Sequence, residues 1–359
     1  MKSVWILLPF FYVGGVEKWA IALAQQLQTE YEVNVISFGP IDTEARLVFS
    51  EFPVMQISPW HVIWRVVRGD VPDICIAALT PANIFAGCLF FWRETKVLSS
   101  THLTLSRESA KSYFHYIRRR CVYYFIGCVS DVVIAVSEGV KRDLRDLAKV
   151  PSSKIVMIYN PCFDEVKREA TRETQTSERM AFVAAGRLHE QKGFDLLIEA
   201  WTSAMRDTDE RLCSLEIYGD GPLRSELQEQ VRTSDLHNVI FHGNVKGLVD
   251  RLSDYDVFVL SSRYEGFGNV VAEALVAGTY CVTLDCPHGP AEILKSGEFG
   301  RVLPALSVDA LAKEISALVG LRQQKANLPE INSVKVLVHL LQFTTATFGS
   351  RVRELLRGL

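Results

Sequence analysis

Apolar residues in the first 160 or so positions fall into short uncharged runs. Between the runs they recur every three or four places. Val4–Leu8, Glu32–Ser37, Ile74–Leu79, Lys96–Ser100 and Val132–Ala135 have the length and composition of buried strands. Val16, Trp19, Ala20, Leu23, Ala24 and Leu27 mark one face of a helix after the first of them. Strands alternating with helices predict parallel β-α-β units, whose right-handed crossovers put loops at the strands' carboxyl ends. The rhythm stops near Asn160-Pro161, and Asp164 to Arg179 is polar with Val166 as its one large aliphatic residue, as expected of a linker. It then restarts. Ala181–Ala185, Ser214–Tyr218, Val239–Phe241, Val257–Leu260 and Tyr280–Leu284 read as strands, and Phe194–Trp201, Pro222–Val231 and Asn269–Val276 as helices. The expected architecture is α/β, with two doubly wound Rossmann-like lobes facing a central cleft. Residues 1–163 form the first, 164–179 the linker and 180–335 the second. A terminal helix within 336–359, covering Thr344–Leu356, could belong to either.

Composition narrows the classes. The 359 residues are 48% hydrophobic and 23% charged, enough to bury two cores. A net charge of −3 gives no bulk attraction to nucleic acid. Eight cysteines without a C-x-x-C pair suggest reduced, mostly buried thiols and no zinc site. Val4–Val13 imitates a signal peptide, but Gly14-Gly15 and an amphipathic stretch follow it in place of a cleavage site. The uncharged stretch from Ile74 to Trp92 is split by Thr80-Pro81-Ala82-Asn83 into a strand and a helix. A chain retained in the cytoplasm is therefore expected.

No G-x-G-x-x-G follows the first strand and no Walker phosphate loop occurs, which argues against NAD and ordinary ATPase chemistry. Another phosphate device is present. The strand Val257–Leu260 runs through Ser261-Ser262-Arg263-Tyr264-Glu265-Gly266-Phe267-Gly268 into a helix opening near Asn269. Glycines ahead of a helix let backbone N–H groups at the positive end of its dipole meet a diphosphate without a metal. Glu265 and Glu273 are separated by seven residues within this segment. Gly14-Gly15-Val16-Glu17, Gly186-Arg187-Leu188 with Lys192-Gly193, Tyr218-Gly219-Asp220-Gly221-Pro222, Asn160-Pro161 and Gly289-Pro290-Ala291-Glu292-Ile293 accompany it in order.

In these motifs, over almost its whole length, the chain resembles the family 4 retaining glycosyltransferases of the GT-B fold. The resemblance implies that Glu265 hydrogen-bonds hydroxyls of a donor sugar and that Glu273 holds the nucleotide ribose; carboxylates accept paired bonds from vicinal diols. It implies that Arg187 and Lys192 clamp the donor diphosphate, and that His102, after the strand Lys96–Ser100, faces the reacting sugar. Gly14, Gly15, Gly266, Phe267 and Gly268 would bring backbone close to the donor, and Glu17 could serve the following helix. The ordinary alternatives are a solvated glutamate, exposed loop cations, a structural histidine and tight turns. A glycosidase carboxylate pair fits poorly, since its two acids must flank one bond.

Two D-x-D sequences, Asp207-Thr208-Asp209 and Asp254-Tyr255-Asp256, read as structural, so metal-independent catalysis with no cofactor is expected. Lys111 to Phe125 interleaves cations with aromatics, and Trp60, Trp64, Arg65 and Arg68 form a smaller cluster. Both suit contact with an anionic bilayer, although such aromatics also fill cores. By resemblance the acceptor is a lipid-linked saccharide, such as an undecaprenyl-diphosphate sugar in surface-polysaccharide assembly on the inner face of the plasma membrane. The donor would be a nucleotide-diphosphate hexose or N-acetylhexosamine, with the leaving phosphate helping to deprotonate the acceptor. A GT-B-fold nucleotide-sugar epimerase and a non-catalytic nucleotide-sugar-binding protein are the competing readings.

Overall fold

The short apolar runs are strands of two parallel sheets in the computed structural model of the chain, which describes residues 1–12, 14–50, 52–102, 104–105, 112–166, 179–206, 208–245, 247–329, 331 and 333–359. In the first half, strands β1 (Ser3–Leu8), β2 (Glu32–Ser37), β3 (Val54–Gln56), β4 (Ile74–Ala78), β5 (Lys96–Thr101), β6 (Val132–Ala135) and β7 (Ile155–Met157) alternate with helices. These are α1 (Gly15–Leu27), α2 (Thr43–Val48), α3 (Pro59–Val67), α4 (Thr80–Phe90), α5 (Tyr113–Val129) and α6 (Glu138–Asp146). The sheet order is β3-β2-β1-β4-β5-β6-β7. In the second half, β8 (Met180–Ala185), β9 (Cys213–Tyr218), β10 (Val239–Gly243), β11 (Val257–Leu260), β12 (Tyr280–Leu284) and β13 (Arg301–Leu303) pair in the order β10-β9-β8-β11-β12-β13. Their helices are α7 (Phe194–Met205), α8 (Arg224–Thr233), α9 (Leu248–Leu252), α10 (Asn269–Val276), α11 (Pro290–Ile293), α12 (Val308–Gln323) and α13 (Ser333–Leu340). A last helix, α14 (Thr345–Arg357), follows.

The chain divides into two units, Met1–Asp164 with Gln342–Leu359, and Glu165–Leu341. In the first, β1 is buried from Val4 to Leu8 because helices cover both faces of the sheet. The strand period then sorts its side chains: Val4, Ile6 and Leu8 pack with α1 and α14, whereas Trp5 and Leu7 pack with α3 and α4. The final helix, which the sequence left without a partner, lies on α1 and buries Phe348, Val352 and Leu356 against Trp19, Leu23 and Leu27. Arg353 Nη1 donates to Gln26 O at 2.9 Å, and a Cβ at Gly349 would come within 2.2 Å of Gln26 Oε1, so the Gln26 side chain occupies the space that the glycine leaves. In the second unit, Phe182 of β8 meets Trp201 of α7 edge-on at 5.1 Å, within a core completed by α12.

Differences from the sequence pattern cluster at sheet edges. Strands β3, β7 and β13 have three residues each and are partly exposed, too short to show alternation. The helix expected over Pro222–Val231 runs instead over Arg224–Thr233. The uncharged stretch from Ile74 divides into β4 and α4, and no helix among the described residues is long and apolar enough to cross a membrane. The cysteines are less buried than expected: Cys75, Cys213, Cys281 and Cys286 are internal, but Cys88, Cys121 and Cys128 stand exposed on α4 and α5. Most of the expected linker, 167–178, lies outside the described residues.

Phe348→Ala removes the edge-on ring contact of α14 with Trp19 of α1. It is expected to destabilise the first unit by about 3–5 kcal/mol in chemical denaturation of the whole chain, with little change in the second unit's transition.

Candidate functional site

Each sheet contains one place where successive strands change direction of travel. In the second unit the chain lays down β8, β9 and β10 outward, then returns to set β11 beside β8 and continues the other way. At such a reversal the two crossover helices leave on opposite faces, and the loops at the strands' carboxyl ends open a crevice between them. The loops that meet here are 186–193 after β8 and 261–268 after β11.

Lys192 ends a short 3-10 turn, Glu190–Lys192, and Gly193 follows in left-handed conformation at φ 62° before α7 begins. Only glycine fits there, because a Cβ would approach Ser261 O to 2.2 Å. The turn aims Lys192 across to the other loop, where Nζ lies 2.6 Å from Glu265 Oε1. Ser262 Oγ donates to the same oxygen at 2.7 Å. Glu265 Oε2 accepts no hydrogen bond among the described residues, so a buried carboxylate fixed through one oxygen keeps the other as an acceptor. The backbone of Glu265 is pinned as well. Its N–H donates to Pro287 O at 2.6 Å, and its carbonyl accepts from His288 N–H at 2.9 Å. Beneath the pair, burial pushes the Cys286 thiol pKa up, and the Glu265 carboxylate adds to that.

The helix α10 opens at Gly268, which has no side chain with which to cap it. Glu273 lies in its second turn, buried between Ala272 and Ala274. Gly266 and Phe267 complete the loop, with Phe267 buried. Arg187, by contrast, stands exposed after β8 and forms no ion pair among the described residues, so the structure unites Lys192 with Glu265 and not with Arg187.

The first unit has its own reversal, between β1 and β4. Gly14 precedes α1 in extended conformation. The space beside it is taken by Glu17, whose Oε2 would be 2.6 Å from a Cβ there. Glu17 is buried, and Tyr12 N–H donates to its Oε1 at 3.4 Å. Gly15 is the first residue of the helix. His102 follows β5, half-buried, with its ring edge-on to Trp19 at 5.0 Å and Nε2 3.0 Å from Ser100 Oγ. Enclosure by the protein disfavours the imidazolium and pulls the His102 pKa down to about 3, so the ring is neutral near pH 7.

Other sequence candidates find structural partners. Asp256 bonds Arg322 and accepts from Ala181 N–H at 2.8 Å, tying α12 to the start of β8. Asp209 pairs with Arg211 at 2.8 Å on the surface, and Asp207 lies outside the described residues. On α5 the three arginines are unlike one another. Arg119 donates to Thr104 O and Arg120 to Leu147 O at 2.8 Å, whereas Arg118 points outward. Lys111 lies outside the described residues. The individual roles of Ser262, Arg263 and Asp195 were not visible in the sequence, where neither spacing nor type separates them from ordinary surface polars.

Two family profiles match the chain: "Glycosyltransferase Family 4" over residues 13–163 and "Glycosyl transferases group 1" over 179–320. The amylovoran biosynthesis glycosyltransferase AmsD of Erwinia amylovora is 22% identical over 88% of this chain and 90% of its own. The N-acetylgalactosamine-N,N'-diacetylbacillosaminyl-diphospho-undecaprenol 4-alpha-N-acetylgalactosaminyltransferase of Campylobacter jejuni is 24% identical over 84% of this chain and 86% of its own. Among solved structures, Anabaena HepE in complex with UDP and glucose superposes with a TM-score of 0.81 at 18% identity, covering all of both chains.

The His102 environment has a consequence for stability. An unfolded chain binds a proton at this histidine near pH 6.5, whereas the folded protein does so only near about 3. Its contribution is therefore fully present above about pH 6.5 and lost progressively as pH falls toward about 3. In denaturation series from about pH 7 to about pH 4, His102→Gln is expected to lose stability less steeply than the wild type.

Proposed function

The chain belongs to the family 4 type glycosyltransferases of the GT-B fold, and from that premise we propose that it moves a hexose or N-acetylhexosamine from a nucleotide-diphosphate donor to an acceptor hydroxyl. The observation that carries the site assignment is the convergence of Lys192 and Glu265 at 2.6 Å, at the reversal point of a parallel sheet and beside the start of α10. On this reading Lys192 and Arg187 offset the charge that grows on the departing diphosphate, and the backbone at Gly266–Gly268 adds the positive end of the α10 dipole. The open Oε2 of Glu265 receives sugar hydroxyls, and Glu273 receives the ribose. In the role that the resemblance gives His102, a ring neutral near pH 7 would serve a reacting sugar through a hydrogen bond rather than a charge. Retention of configuration is proposed on the family resemblance. Metal-independence is proposed because neither D-x-D reads as a metal site: Asp256 is committed to Arg322 and the backbone of β8, and Asp209 to Arg211.

The acceptor we propose is a lipid-linked saccharide of a surface polysaccharide. The activities that name the Erwinia and Campylobacter relatives support it. So does the outer surface of the first unit, where α3, α4 and α5 carry large apolar side chains into solvent. Trp60 and Phe114 are each 79% exposed and Trp92, two residues past the end of α4, is 89% exposed; Tyr113, Trp64 and Tyr124 are each more than half exposed. Aromatic residues among cations such as Arg68, which stacks on Trp64 at 3.8 Å, suit the interface of an anionic bilayer. The protein would thus work at the cytoplasmic face of the membrane without crossing it.

Glu265→Gln and Lys192→Ala are each expected to lower transfer at least about 100-fold while leaving the unfolding transition in place. Turnover near the wild-type rate in either variant would remove the site assignment. Activity is expected to persist in EDTA, and complete loss restored by magnesium would overturn the metal-free mechanism. Since Arg119 and Arg120 hold backbone carbonyls, the membrane test belongs to the aromatics. Trp60→Ser with Phe114→Ser should reduce co-sedimentation with anionic vesicles, and unchanged binding would refute the bilayer contact.

A further inference from the structure

A second set of contacts joins the loops of Lys192 and Glu265, beside the ion pair rather than within it. Arg263 Nη1 donates to Asp195 Oδ1 at 2.7 Å and Nη2 to Asp195 Oδ2 at 2.6 Å, while Nη1 also donates to Glu190 O at 2.9 Å. Arg263 N–H donates to Gln191 O at 2.8 Å, and Gln191 Nε2 donates to Tyr264 O at 3.0 Å. One guanidinium therefore grips the first turn of α7 and the carbonyl of the 3-10 turn while its own backbone sits in the β11 loop. Burial acts to raise the Asp195 pKa, and the Arg263 guanidinium outweighs it, holding the carboxyl below its ordinary range. A planar fork can bond two carboxylate oxygens and a carbonyl together; an ammonium group cannot reproduce that geometry.

The position of this strap is what gives it meaning. Asp195 is three residues past Lys192, and Arg263 is two residues before Glu265 and adjacent to Ser262, which bonds the same carboxylate. The strap thus spans the two segments that the candidate donor site needs in register. Lys192 cannot set that register itself, because its four-carbon stem is flexible and its ammonium binds without directional demand. We propose that Arg263 and Asp195 are positioning residues, which hold the β8 loop at the separation from the β11 loop that a ligand with both a diphosphate and a sugar requires, without touching that ligand. This rests on the donor-site reading given above and adds a property to it. A nucleoside diphosphate lacking the sugar makes no demand on Glu265 Oε2, so its binding is the less sensitive to a slack strap. A nucleotide sugar must also place its hydroxyls at Glu265 while its diphosphate is held at Lys192, so its binding depends on the spacing of those two side chains.

The test uses the full chain with UDP and GDP, each alone and as its hexose and N-acetylhexosamine conjugates, measured by titration calorimetry and steady-state transfer. Wild-type binding of a nucleoside diphosphate is established first, and its absence would sink the donor-site reading together with the strap. In Arg263→Gln and in Asp195→Asn, KM for the nucleotide sugar is expected to rise about tenfold while Kd for the bare diphosphate changes less than about threefold. The double variant should be no worse than either single one, since both remove one interaction. Arg263→Lys should recover part of the loss. Amide hydrogen exchange at Lys192 and Gly193 should quicken in the variants. A purely structural role would lower the unfolding midpoint and leave the ratio of the two affinities unchanged in the folded protein. That outcome, in Asp195→Asn or in Arg263→Lys should Arg263→Gln fail to fold, overturns the proposal and leaves the donor site standing.

Discussion

A parallel sheet brings two crossover loops together where its strands reverse their direction of travel, and the second unit places its charged side chains at that point. Lys192 and Glu265 are 73 residues apart in sequence, yet β8 and β11 are neighbours, so the loops leaving them are neighbours too. Everything else at the site depends on this adjacency. Gly193 permits the close approach of the β8 loop to Ser261, the Pro287–His288 backbone fixes Glu265 from beneath, and α10 starts where the β11 loop ends. Shifting the order of the strands would leave the same residues present and separate them.

What could be read from the sequence was what is local. The run from Val257 through Gly268 into Asn269 carries strand, glycine loop and helix start in one stretch, and β11 and α10 have the boundaries that hydrophobic patterning assigned. The same holds for β2, β6 and β12. What escaped was non-local or too short. Arg263 and Asp195 are ordinary polar residues until the fold sets them 2.6 Å apart across 68 positions. The edge strands β3, β7 and β13 lack the length for a period, and nothing in Thr344–Leu356 indicates that its apolar stripe belongs on α1.

Composition also misled in one instructive way. The cations interleaved with aromatics on α5 were read together as suiting an anionic bilayer, but two of the three arginines are turned inward to hold carbonyls of Thr104 and Leu147. What the helix shows to solvent is dominated by rings. Insertion of apolar area into an interface, rather than counter-charge alone, would then set the strength of any bilayer contact, with a correspondingly weaker dependence on ionic strength.

The return of the last helix to the first unit sets an order on biosynthesis. A chain emerging from the ribosome completes residues 165–341, and with them the whole second unit, before the residues that close the hydrophobic face of α1 exist. The earlier-made half is therefore the later to finish, and its nascent form presents Trp19, Leu23 and Leu27 uncovered while translation proceeds through the rest. Folding of the amino-terminal half therefore waits on synthesis of residues 342–359.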